Sequence, residues 1–283
     1  MKKISIITPI YNGSRFTESI VNNAEGLYKE IKNYGYKVEL ICVQDKPDEV
    51  LKFKIPSCIE FKLIKNDINL GIQHSRVKGL KEATGMYIIF LDQDDKLIPV
   101  NYISQLKKIK NADVVVGNFY NDINGKKRLI YKNRKALNFA VQENTLLKDA
   151  NTIISPGQCL IRKNKIPKQW CNSIMKVNGA DDWMLWLLMY NSGAHFSVNA
   201  KPVYYHRTTA IGNLSSDDSN MHNSENEMLS ILHKVGYPQS KLNSLKNTIN
   251  FNRRSIHNFS VKFLVNSMPQ IYCKFKLLYL KHI

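Results

Sequence analysis

Tyr87-Ile88-Ile89-Phe90-Leu91-Asp92-Gln93-Asp94-Asp95 is the stretch that decides the fold. Five apolar residues in a row read as a buried strand, and three carboxylates follow it at once. Carboxylates this dense repel one another and raise each other's pKa unless a cation sits among them. The carboxyl end of a strand is also where open α/β sheets receive their ligands. Two readings follow: a divalent metal shared with an anionic ligand, or a solvated acidic turn ahead of the helix-start signal at Pro99.

Upstream, Lys3 to Thr8 reads as a β-branched strand stopped by Pro9 and the Asn12-Gly13 turn. Phe16, Ile20, Ala24, Leu27 and Ile31 recur at helical steps, and Gly35 ends that helix. Val38 to Val43 is a second strand, closed by Gln44-Asp45-Lys46-Pro47. Ile59 to Ile64 is a third, and a helix from Ile72 to Ala83 leads to Thr84-Gly85. Strands alternating with helices at this rhythm predict a doubly wound, mainly parallel sheet. Downstream, the pattern predicts a helix over 101–110, a strand over 113–117 and a turn, read as a hairpin, over 121–125. The basic segment 126–148 has no clear period. Cys159-Leu160-Ile161 reads as a short strand. A helix with Trp183, Trp186, Leu187 and Tyr190 on one face follows Asp181-Asp182, and Val203 to Arg207 is a late strand.

The 283 residues carry a formal net charge of +18, which implies an anionic partner: nucleic acid, a phosphorylated substrate or an acidic membrane face. No recognisable nucleic-acid module accompanies the charge, so nucleic acid is not expected. The longest apolar stretch, Trp183 to Tyr190, is too short to span a bilayer. Pro9, Asn12 and Gly13 interrupt the N-terminal apolar run, so it fails as a signal peptide and a cytoplasmic location is expected. Five cysteines without Cys-x-x-Cys spacing read as reduced, packed thiols.

In this topology three strand ends converge on one crevice: Thr8, Pro9 and Tyr11 from the first, Asp45 from the second, Asp92 and Asp94 from the fourth. Tyr11 can stack on a base, and Asp45 can accept from a base N–H. Arg76 can meet a phosphate or a ribose. Asp94, assisted by Asp92, has the hard oxygen donors that suit Mn²⁺ or Mg²⁺, with Asp95 a helix-side neighbour. Asp181-Asp182 would be favoured at a helix start on charge alone.

These residues, in order, carry a resemblance. Thr8-Pro9-Ile10-Tyr11-Asn12, Val43-Gln44-Asp45, Asn69-Leu70-Gly71 with Ser75-Arg76, Phe90 to Asp95, and Asp181-Asp182 before a Trp-rich helix resemble the motif series of family 2 glycosyltransferases over roughly residues 3 to 215. The resemblance implies a GT-A fold at 1–216, with a nucleotide-binding half over 1–118 and an acceptor-binding half over 119–216. A basic helical extension would occupy 217–283. The resemblance also implies inverting transfer from a nucleotide diphosphate donor, most often a UDP-sugar, to a glycan or lipid-linked acceptor. Carried over residue by residue, Asp45 binds the uracil, Thr8, Pro9 and Tyr11 frame the nucleoside, Arg76 lies near the donor, Asp94 and Asp92 are the metal aspartates, and Asp182 is the general base.

The chain departs from the family's pattern in two places. Gln44 stands where the first of two acids is usual, with Lys46-Pro47 after Asp45. His206 precedes Arg207 rather than following it, which leaves it either completing the metal site or satisfied by its strand neighbours. Gln44 and Lys46 motivate an alternative, a catalytically inactive nucleotide- or carbohydrate-binding protein of the same fold. Sugar-nucleotide synthesis would need a Gly-rich phosphate loop, which Asn12-Gly13-Ser14 is not. After Glu227 no acid remains while lysines recur. Leu229, Leu232, Val235, then Leu242, Leu245 and Ile249, then Phe259 and Phe263, then Ile271, Phe275 and Leu278 suggest amphipathic helices, the last pair broken by Pro269. They read as a peripheral contact with an acidic membrane, at the inner face of the plasma membrane, or as a packed helical cap.

Overall fold

The continuous apolar runs form β1 (Lys2–Ile10), β2 (Tyr36–Gln44) and β4 (Tyr87–Phe90), the middle of one nine-stranded sheet. The computed structural model describes residues 2–208, 218–253 and 267–282. Residues 4–10 and 38–44 are buried without interruption, as strands covered on both faces require. β3 (Glu60–Lys65), only partly buried, forms the edge beside β2. The other strands are β5 (Lys96–Leu97), β6 (Val114–Ile123), β7 (Lys126–Leu129), β8 (Cys159–Arg162) and β9 (Phe196–Thr208). Their order is β3-β2-β1-β4-β8-β6-β9-β5, with β7 paired to β6 off this path. β1 to β4, β6 and β9 run one way and β5, β7 and β8 the other, so the mainly parallel sheet is mixed in its C-terminal half.

α1 (Thr17–Ile31) buries Ile20, Ala24, Leu27 and Ile31, the stripe its spacing predicts. α2 (Ile72–Glu82) lies against β1 and β2 so closely that a Cβ on Gly79 would stand 2.5 Å from Ile7 Cγ2 and 3.2 Å from Val43 Cγ2. α3 (Tyr102–Lys108) is bracketed by single 3₁₀ turns, which account for the longer helix expected over 101–110.

The second half differs more from the sequence reading. β6 does not stop at Gly117 but continues through a register irregularity at Gly117 and Asn118 to Ile123. The turn is Asn124-Gly125 alone, with φ of 52° and 82°. Both are left-handed, the pairing that suits the twist of a two-residue hairpin. The unplaced segment contains β7, α4 (Arg134–Ala140, capped by Asn133) and α5 (Glu143–Lys148). Helices of 7 and 6 residues are too short to print a period. α6 (Lys168–Asn172) precedes α7 (Asp181–Asn191), which is buried from Asp181 to Met189 on every side rather than along one face.

α8 (Asp218–Lys234) and α9 (Gln239–Arg253) bury Met228, Leu232, Leu242, Leu245 and Ile249 in the core. The last helix, α10 (Met268–His282), corrects the sequence reading. It buries Gln270, Cys273 and Leu277, while Phe275 is 68% and Leu278 52% exposed. Pro269 sits in its first turn, where a proline is tolerated. The buried face is the less apolar one, so hydrophobic spacing points to the wrong side. Phe259, Phe263 and the 216/217 division lie outside the described residues. Among those described, no helix is long and apolar enough to cross a membrane.

Candidate active site

The strand order reverses between β1 and β4, and their carboxyl ends open the crevice. At the end of β1, Thr8 and Pro9 are buried, whereas Tyr11 is 46% exposed. Gln93 holds Tyr11 in place across the crevice. Its Oε1 accepts from Tyr11 N and its Nε2 donates to Tyr11 O, both at 3.0 Å. Gln93 has no role legible in the sequence, where it reads as the spacer between two aspartates.

At the end of β2, Asp45 is buried and accepts at both oxygens. Asn66 Nδ2 and Leu70 N donate to Oδ1 at 2.8 and 2.9 Å, and Gly71 N donates to Oδ2 at 2.9 Å. Asp45 therefore shapes the Asn69-Leu70-Gly71 loop at the carboxyl end of β2. Gln44 explains its own departure from the family's acid. Its Nε2 donates to the carbonyls of Lys46 (2.7 Å), Pro47 (3.2 Å) and Glu49 (2.7 Å). A carboxylate there would face three acceptors with no proton to offer. Lys46 Nζ is tied to Asn12 Oδ1 at 2.6 Å.

The acidic run after β4 separates into three environments. Asp92 Oδ1 accepts from Arg76 Nη2 at 2.6 Å, and Arg76 Nη1 reaches Asp181 Oδ2 at 2.8 Å. Arg76 is buried with both terminal nitrogens turned to carboxylates, so its contact with the crevice runs through Asp92. Asp94 has no such partner among the described residues; burial and the charge on Asp92 hold its carboxyl above the usual range. Asp95, expected at the helix side, is instead the most deeply buried of the three. Its Oδ1 accepts from Arg207 N at 3.1 Å and stands 3.4 Å from His206 Nδ1. Burial alone would lower His206; contact with Asp95 reverses this and raises it. His206 thus turns Nδ1 to Asp95, beside Asp94.

Asp182 lies in the first turn of α7, 8% exposed. Neither it nor Asp181 is the N-cap, which is Ala180. Asp182 Oδ1 accepts from Trp183 N at 2.7 Å and from Asn151 Nδ2 at 3.0 Å. Burial first, and the charge on Asp181 second, push its pKa up to about 8 against the pull of Arg76. Asn151, from the stretch between α5 and β8, had no signal in the sequence. The loop leading into α7 is held by α8: Ser224 Oγ accepts from Ala180 N at 2.8 Å, and Glu227 accepts from Lys176 N and Val177 N. One continuous set of contacts therefore runs Asp92–Arg76–Asp181, with Asp182 beside its end.

The family model described as glycosyl transferase family 2 matches residues 5–170. The chain belongs to that family. The matched segment contains Asp45, Arg76, Asp92 and Asp94 and stops short of Asp182. Among characterised family members, glycosyltransferase GlyA of Streptococcus pneumoniae serotype 4 is 30% identical over 127 residues, 42% of this chain and 17% of GlyA. The poly(ribitol-phosphate) beta-N-acetylglucosaminyltransferase TarP of Staphylococcus aureus is 24% identical over 218 residues, 72% of this chain and 62% of TarP. The chain thus spans less than two thirds of either relative. The crystal structure of S. aureus TarS 1-349 in complex with UDP-GlcNAc matches with a TM-score of 0.63 at 17% identity, covering 99% of this chain and 82% of TarS 1-349. That likeness bears out the GT-A type fold expected of this family member.

Proposed function

We propose that this chain transfers a sugar, with inversion, from a nucleotide diphosphate donor to a hydroxyl of a glycan or lipid-linked acceptor, as a step in building a bacterial surface polysaccharide. The donor is read as a UDP-sugar. The observation that carries the proposal is the buried carboxyl of Asp182, raised toward neutrality beside the Asp92–Arg76–Asp181 chain that ends at the donor crevice. A carboxylate whose pKa lies near the working pH is suited to take the proton of an attacking hydroxyl. Trp183 N and Asn151 fix one oxygen of Asp182 and leave Oδ2 to receive that proton. On the donor side, Tyr11 offers its ring to the base and Asp45 its carboxylate to the base's edge.

Among the described residues no three His, Cys, Asp or Glu side chains converge as a closed metal site. The donor set still fits Mn²⁺ or Mg²⁺, which bind through one or two carboxylates and complete their shell with substrate phosphates. Asp94, crowded by Asp92 and without an ion pair among the described residues, would be the first ligand and Asp92 the second, while His206 turns its Nδ1 to Asp95. When bound, such an ion neutralises charge on the departing diphosphate. The inactive-binder reading loses its motive, because Gln44 and Lys46 are accounted for by the loop they hold.

The basic C-terminal region is read as a peripheral contact with acidic lipid, through the face of α10 that carries Met268, Tyr272, Phe275 and Tyr279. A calorimetric titration with UDP and Mn²⁺, paired with a turnover screen of UDP-, GDP- and dTDP-sugars, tests the main proposal. Asp182→Asn is expected to keep UDP affinity and lose transfer by roughly 10²- to 10⁴-fold. Transfer at the wild-type rate would remove Asp182 as the base. UDP binding without turnover of any sugar nucleotide would overturn the enzyme assignment.

A further inference from the structure

Beside Asp94 lies a pocket of ≈ 280 Å³ lined by Asp94, Lys96, Asp122, Lys127, Tyr205 and Arg207. No residue assigned to the nucleoside lines it. The walls come from β5, the β6–β7 hairpin and β9, the half of the sheet opposite the nucleotide crevice. Three cations face two carboxylates there. Asp122 is already engaged, since Gly125 N donates to its Oδ1 at 2.9 Å in the hairpin turn. Asp94 is the carboxylate assigned to the metal, so a bound ion would leave the pocket more positive still.

The aromatic wall is as definite as the charge. Tyr205 stacks on Tyr120 with ring centroids 5.4 Å apart and planes inclined by 19°. Lys127 Nζ stands 4.4 Å above the Tyr205 ring. Two ammoniums and a guanidinium lining one pocket beside stacked aromatic rings suit an anionic group carried on a polymer chain. The register fixes the group: Asp122 opposes Lys127 across the hairpin and Arg207 on β9.

We propose that the acceptor is anionic, and that this pocket seats one of its negative groups, a phosphodiester or a carboxylate, next to the reacting centre. The proposal rests on the transferase reading and adds to it the chemical class of the acceptor. The occupant is assigned to the acceptor rather than the donor, because none of the residues that frame the nucleoside lines the pocket.

Direct binding tests the idea without needing turnover, so it can fail while the transferase reading stands. Calorimetry would compare a glycerol-phosphate oligomer, an oligogalacturonate and a neutral malto-oligosaccharide of equal length, each with the wild type, Lys127→Glu, Lys127→Gln and Lys107→Glu. Lys107→Glu makes the same charge change on α3, outside the pocket, and Lys127→Gln removes the charge without adding a new one. At least one anionic oligomer is expected to bind about tenfold more tightly than the neutral one, and to weaken by about tenfold in Lys127→Glu and less in Lys127→Gln. Its affinity should fall with added salt. Whichever anion binds names the group. Equal binding of the neutral oligomer would overturn the proposal, as would equal losses in Lys127→Glu and Lys107→Glu. Loss of UDP affinity in Lys127→Glu, with oligomer binding intact, would give the pocket to the donor's diphosphate instead.

Discussion

Burial and the charge on Asp181 push the pKa of Asp182 up to about 8. As the proposed base, Asp182 works deprotonated, so kcat/KM is expected to rise with pH through that value and to fall on its acid side. A pH–rate profile whose acid limb lies in the ordinary carboxylate range would contradict this. Asn151 Nδ2 donates to the same oxygen and favours the charged form, so Asn151→Ala should move the limb to higher pH. Arg76 has the opposite kind of task. It neutralises Asp92 and Asp181 inside the protein, and its loss strands two carboxylates with little water around them. Arg76→Ala is expected to cost about 3–5 kcal/mol, read as a lowered denaturant midpoint. A stability within a few tenths of wild type would mean that solvent or another cation reaches both acids.

Helix α2 connects the residue scale to the sheet. Its N-terminus begins at Gly71 with no cap of its own, and the missing acceptors come from elsewhere. Asp45 takes Leu70 N and Gly71 N, and Asn178 Oδ1 takes Ile72 N at 3.0 Å. The helix that carries Arg76 is thus fixed at its start by the end of β2 and by the loop before α7. Its seat on β1 and β2 depends on the missing side chain at Gly79. Gly79→Ala would drive a methyl into Ile7 and Val43, and is expected to destabilise by about 1–3 kcal/mol despite the better helix propensity of alanine. A thermal melt checks the sign: a raised Tm would show that α2 can shift outward freely. Spacing alone makes this helix legible. Its capping is not, because each cap arrives from a segment distant in sequence.

At the scale of the molecule, the C-terminal helices do two things. α8 grips the loop before α7 through Ser224 and Glu227, which makes the basic extension part of what delivers Asp182. α10 turns Met268, Tyr272, Phe275, Leu278 and Tyr279 outward, each more than half exposed, in a stretch that has lysines and no acids. Co-sedimentation with anionic lipid vesicles is expected for the wild type and should weaken about tenfold or more in Phe275→Asp, with Tm unchanged. Equal sedimentation of the two proteins, or equal binding to neutral vesicles, would take the membrane contact away from this face. The sequence pointed to the stripe of Ile271, Phe275 and Leu278, because the buried one contains Gln270 and Cys273 while the exposed one holds the larger side chains.

What the sequence determined by itself is local. The apolar runs of β1, β2 and β4, the stripe of α1, and the placement of carboxylates directly after a strand all follow from burial period and turn chemistry within short windows. The order of these pieces was also enough to place the chain among family 2 glycosyltransferases. Only the tertiary structure decided how the carboxylates differ. Arg76 joins Asp92 and Asp181 across 16 and 105 residues, Gln93 holds Tyr11 from 82 residues away, and Asp95 sinks beneath its neighbours toward His206. Such pairings depend on which strand ends converge and how deeply each side chain is buried. A carboxylate's chemistry follows from that surrounding, so four aspartates that look alike in the sequence become an ion-pair partner, the proposed metal ligand, a buried support and the proposed base.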